Sequence, residues 1–289
     1  MSEKFNAEDF KCRCSAINAM LSEKQGEAPL TEKQLARIKE LEEKDPITEK
    51  QKIELTELVT RRDRPKRIVL SDTCIGYLME HYAWVTEQAV SVTKELDIEY
   101  FDKGRRQEAE AIALLSEVDG FKYKKNEARV FNDFLSGEPD IFLGADIYKA
   151  IAIYDTKVAW DYPGFLKKIN AGLENANKQQ IQGYCDITTS GEGYVADVLV
   201  DMPETIINDY KYRLAKKMDV IDIYAPSFQV HEDKLMKSLE FSRIPKHKRV
   251  FKKKVEPFTD FERQRVYEKV KICREWLFNF DEMYQSLNK

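Results

Sequence analysis

"GEPDIFLGADIYKAIAIYDTKVAW", residues 137–160, decides the fold. Two apolar runs, 138–143 and 147–156, have the length of strands, and Gly144 to Asp146 connects them. Two features do not belong in an ordinary strand pair. Asp140 follows directly on Pro139, and the triplet Asp155-Thr156-Lys157 closes the second run. When neighbouring strands pair, acids at their ends approach one another, and two carboxylates repel unless positive charge lies between them. Lys157 stands two residues after Asp155, so period-two alternation puts both side chains on one face.

Working outward, residues 129–135 form a further expected strand with Ser136-Gly137 as its hairpin turn. Downstream, 163–186 is helical, "GYVADVLVDMP" (193–203) is a strand, 204–217 a helix, 219–224 a strand and 258–286 a long amphipathic helix. Upstream, Ser71 or Asp72 caps a helix that runs through Tyr77, Leu78, His81 and Trp84 towards Leu96, and another extends from Asp102 to Asp119-Gly120. The near-copies "LTEKQ" (30–34) and "ITEKQ" (47–51) each set glutamine three residues after an N-cap threonine, which predicts helices starting at Thr31 and Thr48. Residues 30–63 therefore read as a charged helical hairpin arm inserted into a single domain spanning 1–289. The fold class is α/β (α+β), with one central mixed sheet flanked by helices.

The formal charge is −4, so affinity for a polyanion has to come from local clusters. Three exist: Lys103, Arg105 and Arg106; Lys122, Lys124 and Lys125; and the denser run "RIPKHKRVFKKK" from Arg243 to Lys254. Five scattered cysteines point to free thiols in a reducing compartment, and the three isolated histidines supply no zinc framework. Neither an apolar leader nor a run of membrane-spanning length occurs, so a cytoplasmic protein is expected.

Glu108 shares a helical face with Ile112 and Leu115, where an unpaired carboxylate is costly. Carboxylates without histidine or cysteine nearby select Mg²⁺ or Mn²⁺ over zinc. Lys157 then has the place of a group that positions or helps deprotonate a water, or that stabilises charge developing on a phosphoryl group. Gln180 and Tyr184, four apart on one helical face, form a polar pair within reach of a phosphate or base.

Taken in order, Gly104-x-x-x-Glu108, Gly137-x-Pro139-Asp140, Asp155-x-Lys157 and Gln180-x-x-x-Tyr184 resemble the motifs of the PD-(D/E)XK nuclease superfamily, most closely its YqaJ-like, lambda-exonuclease-type phage group. "KCRCSAINAML" near the start and "IPKHKRVF" near the end are similar to that group's N-terminal and late basic segments. The resemblance implies a restriction-endonuclease-like core and an Mg²⁺-dependent DNA exonuclease that resects duplex ends from the 5′ strand. It implies metal ligation by Glu108, Asp140, Asp155 and the Thr156 carbonyl, with Lys157 catalytic and Gln180 and Tyr184 orienting the lysine and the DNA strand. Arg13, Ser15, Arg105, Arg106, Lys246, Lys248 and Arg249 are the expected DNA contacts. A single-strand annealing recombinase and a homo-oligomeric ring are the implied partners. Two other readings use the same core: a structure-specific or restriction-like endonuclease, and a DNA-end binder without catalysis.

Overall fold

The computed structural model describes residues 5–22, 32–44, 46–63, 70–90, 98–220 and 226–287, without the side chains of 32, 60–63 and 98–106. Among these residues the chain forms ten α-helices and seven strands. The N-terminal part holds β1 (Cys12–Arg13), α1 (Ile17–Leu21), α2 (Glu32–Glu43), α3 (Glu49–Asp63), α4 (Asp72–Glu87) and α5 (Ile98–Asp119). The middle holds β2 (Val130–Phe131), β3 (Leu135–Gly137), β4 (Ile141–Leu143), β5 (Ala152–Val158), α6 (Tyr162–Ala171), α7 (Asn175–Thr188) and β6 (Glu192–Val198). The last part holds α8 (Glu204–Lys217), α9 (Pro226–Leu239), β7 (Val250–Val255) and α10 (Asp260–Ser286).

Helix starts follow their caps. The Thr48 hydroxyl accepts from Gln51 N and Gln51 Oε1 accepts from Thr48 N, so the capping box expected there forms; the one expected at Thr31 lies outside the described residues. Ser71 Oγ accepts from Cys74 N and starts α4. That helix stops at Glu87, short of Leu96, because Gln88 takes a left-handed φ of 53° and its N–H closes the last turn. In the hairpin, α2 and α3 pack on one another, Ile38 and Leu41 are buried, and Arg37 Nε pairs with Glu54 at 3.1 Å. Of the expected strand at 219–224, residues 221–224 lie outside the described residues, and 219 belongs to the turn that ends α8.

Two mixed sheets form in place of the one expected. The larger has the order β4-β5-β6-β7, with β5 and β6 parallel and both outer pairings antiparallel. The smaller has the order β1-β3-β2. Pro139 stands between β3 and β4 and has no N–H to give a ladder, so the extended chain changes sheets there. The expected turn at Ser136-Gly137 is strand instead. The hairpin closes at Asn132–Phe134, where Asn132 Oδ1 accepts from the N–H groups of Phe134 and Leu135. Likewise Asp146 caps a short 3₁₀ turn at Ile147–Lys149, which delays β5 to Ala152.

Alternation along β5 and β6 sends Ala152, Tyr154, Ala196 and Val198 to one face, where Ala111, Ile112, Leu114 and Leu115 of α5 cover them. Ile153 and Val195 point to the other face and pack with Ile181 and Cys185 of α7. Two glycines let α7 approach both sheets: a Cβ on Gly193 would lie 2.2 Å from Ile181 Cγ2, and one on Gly137 would lie 2.5 Å from Tyr184 Cε1. The face carrying Asp155 and Lys157 is therefore pressed against the helix carrying Gln180 and Tyr184. Among the described residues no helix is long and apolar enough to cross a membrane.

Candidate active site

Four elements bring the expected residues together. On β5, Lys157 Nζ lies 2.7 Å from Asp155 Oδ2. Ile141 pairs with Tyr154, so Asp140, one step earlier, comes opposite the Asp155 end of that strand. Asp140 is fixed by Thr156, whose N–H and hydroxyl both donate to Asp140 Oδ2 at 2.6 and 2.7 Å. From α7, the Gln180 amide joins three groups: Nε2 donates to Asp155 Oδ1 at 3.1 Å and is 2.9 Å from Tyr184 Oη, while Oε1 accepts from Lys157 Nζ at 3.2 Å. From α5, Glu108 Oε2 pairs with Lys125 Nζ at 2.9 Å, and its charge acts on both aspartates.

Burial and mutual repulsion dominate the electrostatics. Burial and then the Asp155 charge push the Asp140 carboxyl up to about 7, against the bonds from Thr156 that lower it. Burial also raises Asp155, which is only 3% exposed. Desolvation works against the Lys157 ammonium, but the adjoining Asp155 charge outweighs it and the lysine stands above its ordinary pKa. Burial pushes the Tyr184 phenol well up, so it stays protonated and acts as a hydrogen-bonding group.

Sequence reasoning missed Asp197. It sits on β6 in register with Lys157, is 2% exposed, and lies 3.0 Å from Lys253 Nζ and 3.6 Å from Lys168 Nζ. Lys253 Nζ also donates to the Lys168 and Gly172 carbonyls at the end of α6, so a buried ionic network adjoins the lysine of the site. The available signal was an acid inside the apolar run "YVADVLV".

The donor set suits a hard cation. Asp155 Oδ2 is buried, and its close partner is the Lys157 ammonium at 2.7 Å. Two repelling carboxylates, one of them buried with an ammonium as its partner, fit a divalent ion that prefers oxygen. Among the described residues no three carboxylate, imidazole or thiolate groups form a ready-made cluster, and Lys157 and Lys125 pair with Asp155 and Glu108.

The expected DNA contacts are dispersed. Arg13 is exposed on β1 with its N–H bonded to Tyr77 Oη, and Ser15 is exposed in the next turn. Arg105 and Arg106 fall in α5, where side chains lie outside the description. In the basic run, Lys248 is exposed, Lys246 pairs with Glu117, and Lys252 pairs with Asp119 at 2.7 Å. Arg249 is only 7% exposed, with its Nε unbonded, so the run is no continuous solvent-facing grip.

Known structures share this architecture over their whole length. A phage-related exonuclease from Haemophilus somnus 129PT superposes with a TM-score of 0.57 at 19% identity, covering 95% of this chain and 97% of its own. This chain has the fold of the phage-type exonucleases. The alkaline exonuclease LHK-Exo of Laribacter hongkongensis has the same exonuclease fold, with a TM-score of 0.54, 9% identity and coverage of 98% and 95%. LHK-Exo in complex with dAMP superposes with a TM-score of 0.50 at 11% identity, covering 100% and 98%. No family model matches the chain, and no curated protein matches it. At these identities the likeness is one of fold, in agreement with the resemblance carried by the four motifs.

Proposed function

We propose that the chain is an Mg²⁺- or Mn²⁺-dependent deoxyribonuclease that resects duplex DNA ends from the 5′ strand. The observation that supports this reading is the single amide of Gln180, which holds Asp155 and Lys157 together beside Asp140 within an exonuclease fold. Asp140 and Asp155, with Glu108 and the Thr156 carbonyl, would hold the ion. When bound, the ion supplies Lewis acidity and a water of lowered pKa.

The chain's own residues supply the rest. The Lys157 ammonium, with its pKa raised, is protonated at neutral pH and acts as a fixed donor towards charge developing on the phosphoryl oxygens. Gln180 holds it there, and Tyr184, buried behind Gln180, fixes the amide in turn. Water adds to phosphorus and the bridging P–O bond breaks, leaving a hydroxyl and a phosphate monoester. The dAMP complex of LHK-Exo supports a nucleotide as the bound species. A cytoplasmic setting, a single-strand annealing recombinase and a homo-oligomeric ring belong to the same proposal.

The test is cleavage of 5′-labelled linear duplex with Mg²⁺, Mn²⁺ or EDTA. Release of label from the linear duplex while closed circular DNA stays intact supports exonuclease action; nicking of circles moves the reading to an endonuclease on the same core.

A further inference from the structure

The small sheet has one face in the core and one in solvent, and the outer face has a composition that the proposed hydrolysis leaves unused. Arg13, Ser136 and Phe131 form one row across its three strands. Period-two alternation places Lys11, Glu138 and Arg129 on the same side, while Cys12, Leu135, Gly137 and Val130 are buried on the other. Phe131 is 54% exposed on an edge strand of two residues, with Lys11 Nζ 5.4 Å from its ring centroid. Arg129, half exposed, faces Glu138 across 3.9 Å.

We infer that this face is a stacking platform for single-stranded DNA, on which Phe131 takes the π-face of a base while Lys11 and Arg129 hold neighbouring phosphates. Lys11 beside the ring, with Arg13 and Arg129 on the same face, gives this part of a chain of formal charge −4 groups suited to a polyanion. A protein partner would favour a contiguous apolar patch, whereas one exposed aromatic ring with a lysine beside it suits a base flanked by phosphates. β3 runs from this face through Pro139 to Asp140. Ser136, in register with Phe131, is four residues from Asp140, at most about 13 Å along the chain, and Phe131 lies one interstrand spacing of about 5 Å to the side. The inference rests on the nuclease reading, to which it adds a path for the unpaired strand.

The experiment uses the full chain in EDTA, so that nothing is cut, and measures Kd by anisotropy for labelled single strands and blunt duplexes. Replacing Phe131 with Ala weakens single-strand binding about five- to a hundred-fold. Phe131→Leu, with apolar bulk but no π-face, falls with Phe131→Ala, and Phe131→Trp binds like the wild type. A 2-aminopurine placed in the strand is quenched by the wild type and by Phe131→Trp only. Equal affinity of all four proteins, or of wild type and Phe131→Leu, overturns the platform. A wild type that binds through Phe131 yet leaves end-labelled duplex uncut with Mg²⁺ and Mn²⁺ retains the platform and refutes the nuclease. A wild type that cuts, with Phe131→Ala binding and cutting alike, refutes the platform alone.

Discussion

Lys157 Nζ lies 2.7 Å from Asp155 Oδ2, a buried oxygen with the ammonium as its close partner. The pair is electrostatic, and each member leaves the other exposed to a desolvation cost when removed. Lys157→Ala should therefore destabilise the metal-free protein by about 3 kcal/mol in denaturant titrations. It should also eliminate turnover while leaving Mn²⁺ binding, read by calorimetry, in place. A variant that turns over normally with raised KM would contradict the role given to the lysine.

Asp140 gives a pH dependence of defined sign. Its folded pKa of about 7 stands above its ordinary 3.8, so the folded state holds the proton more tightly than the unfolded chain. The stability gained is complete below about pH 4 and is lost as pH rises through about 7. In EDTA at pH 8, Asp140→Asn should thus be more stable than the wild type, by on the order of 2 kcal/mol, with the advantage absent at pH 4. Melting curves at the two pH values decide the matter; a variant destabilised equally at both would remove Asp140 from the repelling pair.

Gln180 is the piece that joins helix to strand at the site. Gln180→Leu keeps its size and removes all three of the amide's hydrogen bonds, which should leave Lys157 displaced and lower kcat about a hundred-fold. Gln180→Glu puts a third acid beside Asp155 and should be no better. Single-turnover rates on end-labelled duplex measure both.

Within the basic run the pairings predict unequal lysines. Lys248 is exposed, whereas Lys252 is held by Asp119. Lys248→Gln should lower the slope of log K against log salt for duplex binding by about one, and Lys252→Gln should leave it unchanged. Equal effects would assign the run a uniform contact with DNA.

Sequence and structure agree where a local signal sufficed and part where register decides. The acids around Pro139 and the Asp155-Lys157 alternation were legible because proline and period two constrain the chain locally. The fold class was legible from the same alternation of strands and helices. The second sheet was not, since the side chain of Asn132 made a turn that Ser136-Gly137 advertised more loudly. Asp197 was given no role from the sequence; the pairing of β6 with both β5 and β7 is what sets it beside Lys157 and Lys253. Arg249 sits among lysines in the sequence but is buried just before β7, a difference invisible to charge counting.

The most direct measurement of the central claim is hydrolysis of 5′-labelled linear duplex by wild type, Asp140→Asn and Asp155→Asn, each with Mg²⁺ and with EDTA. The account predicts release of label by the wild type with Mg²⁺ only, and none by either variant despite intact folding and DNA binding. Cleavage by both variants in Mg²⁺, or by the wild type in EDTA, would contradict it.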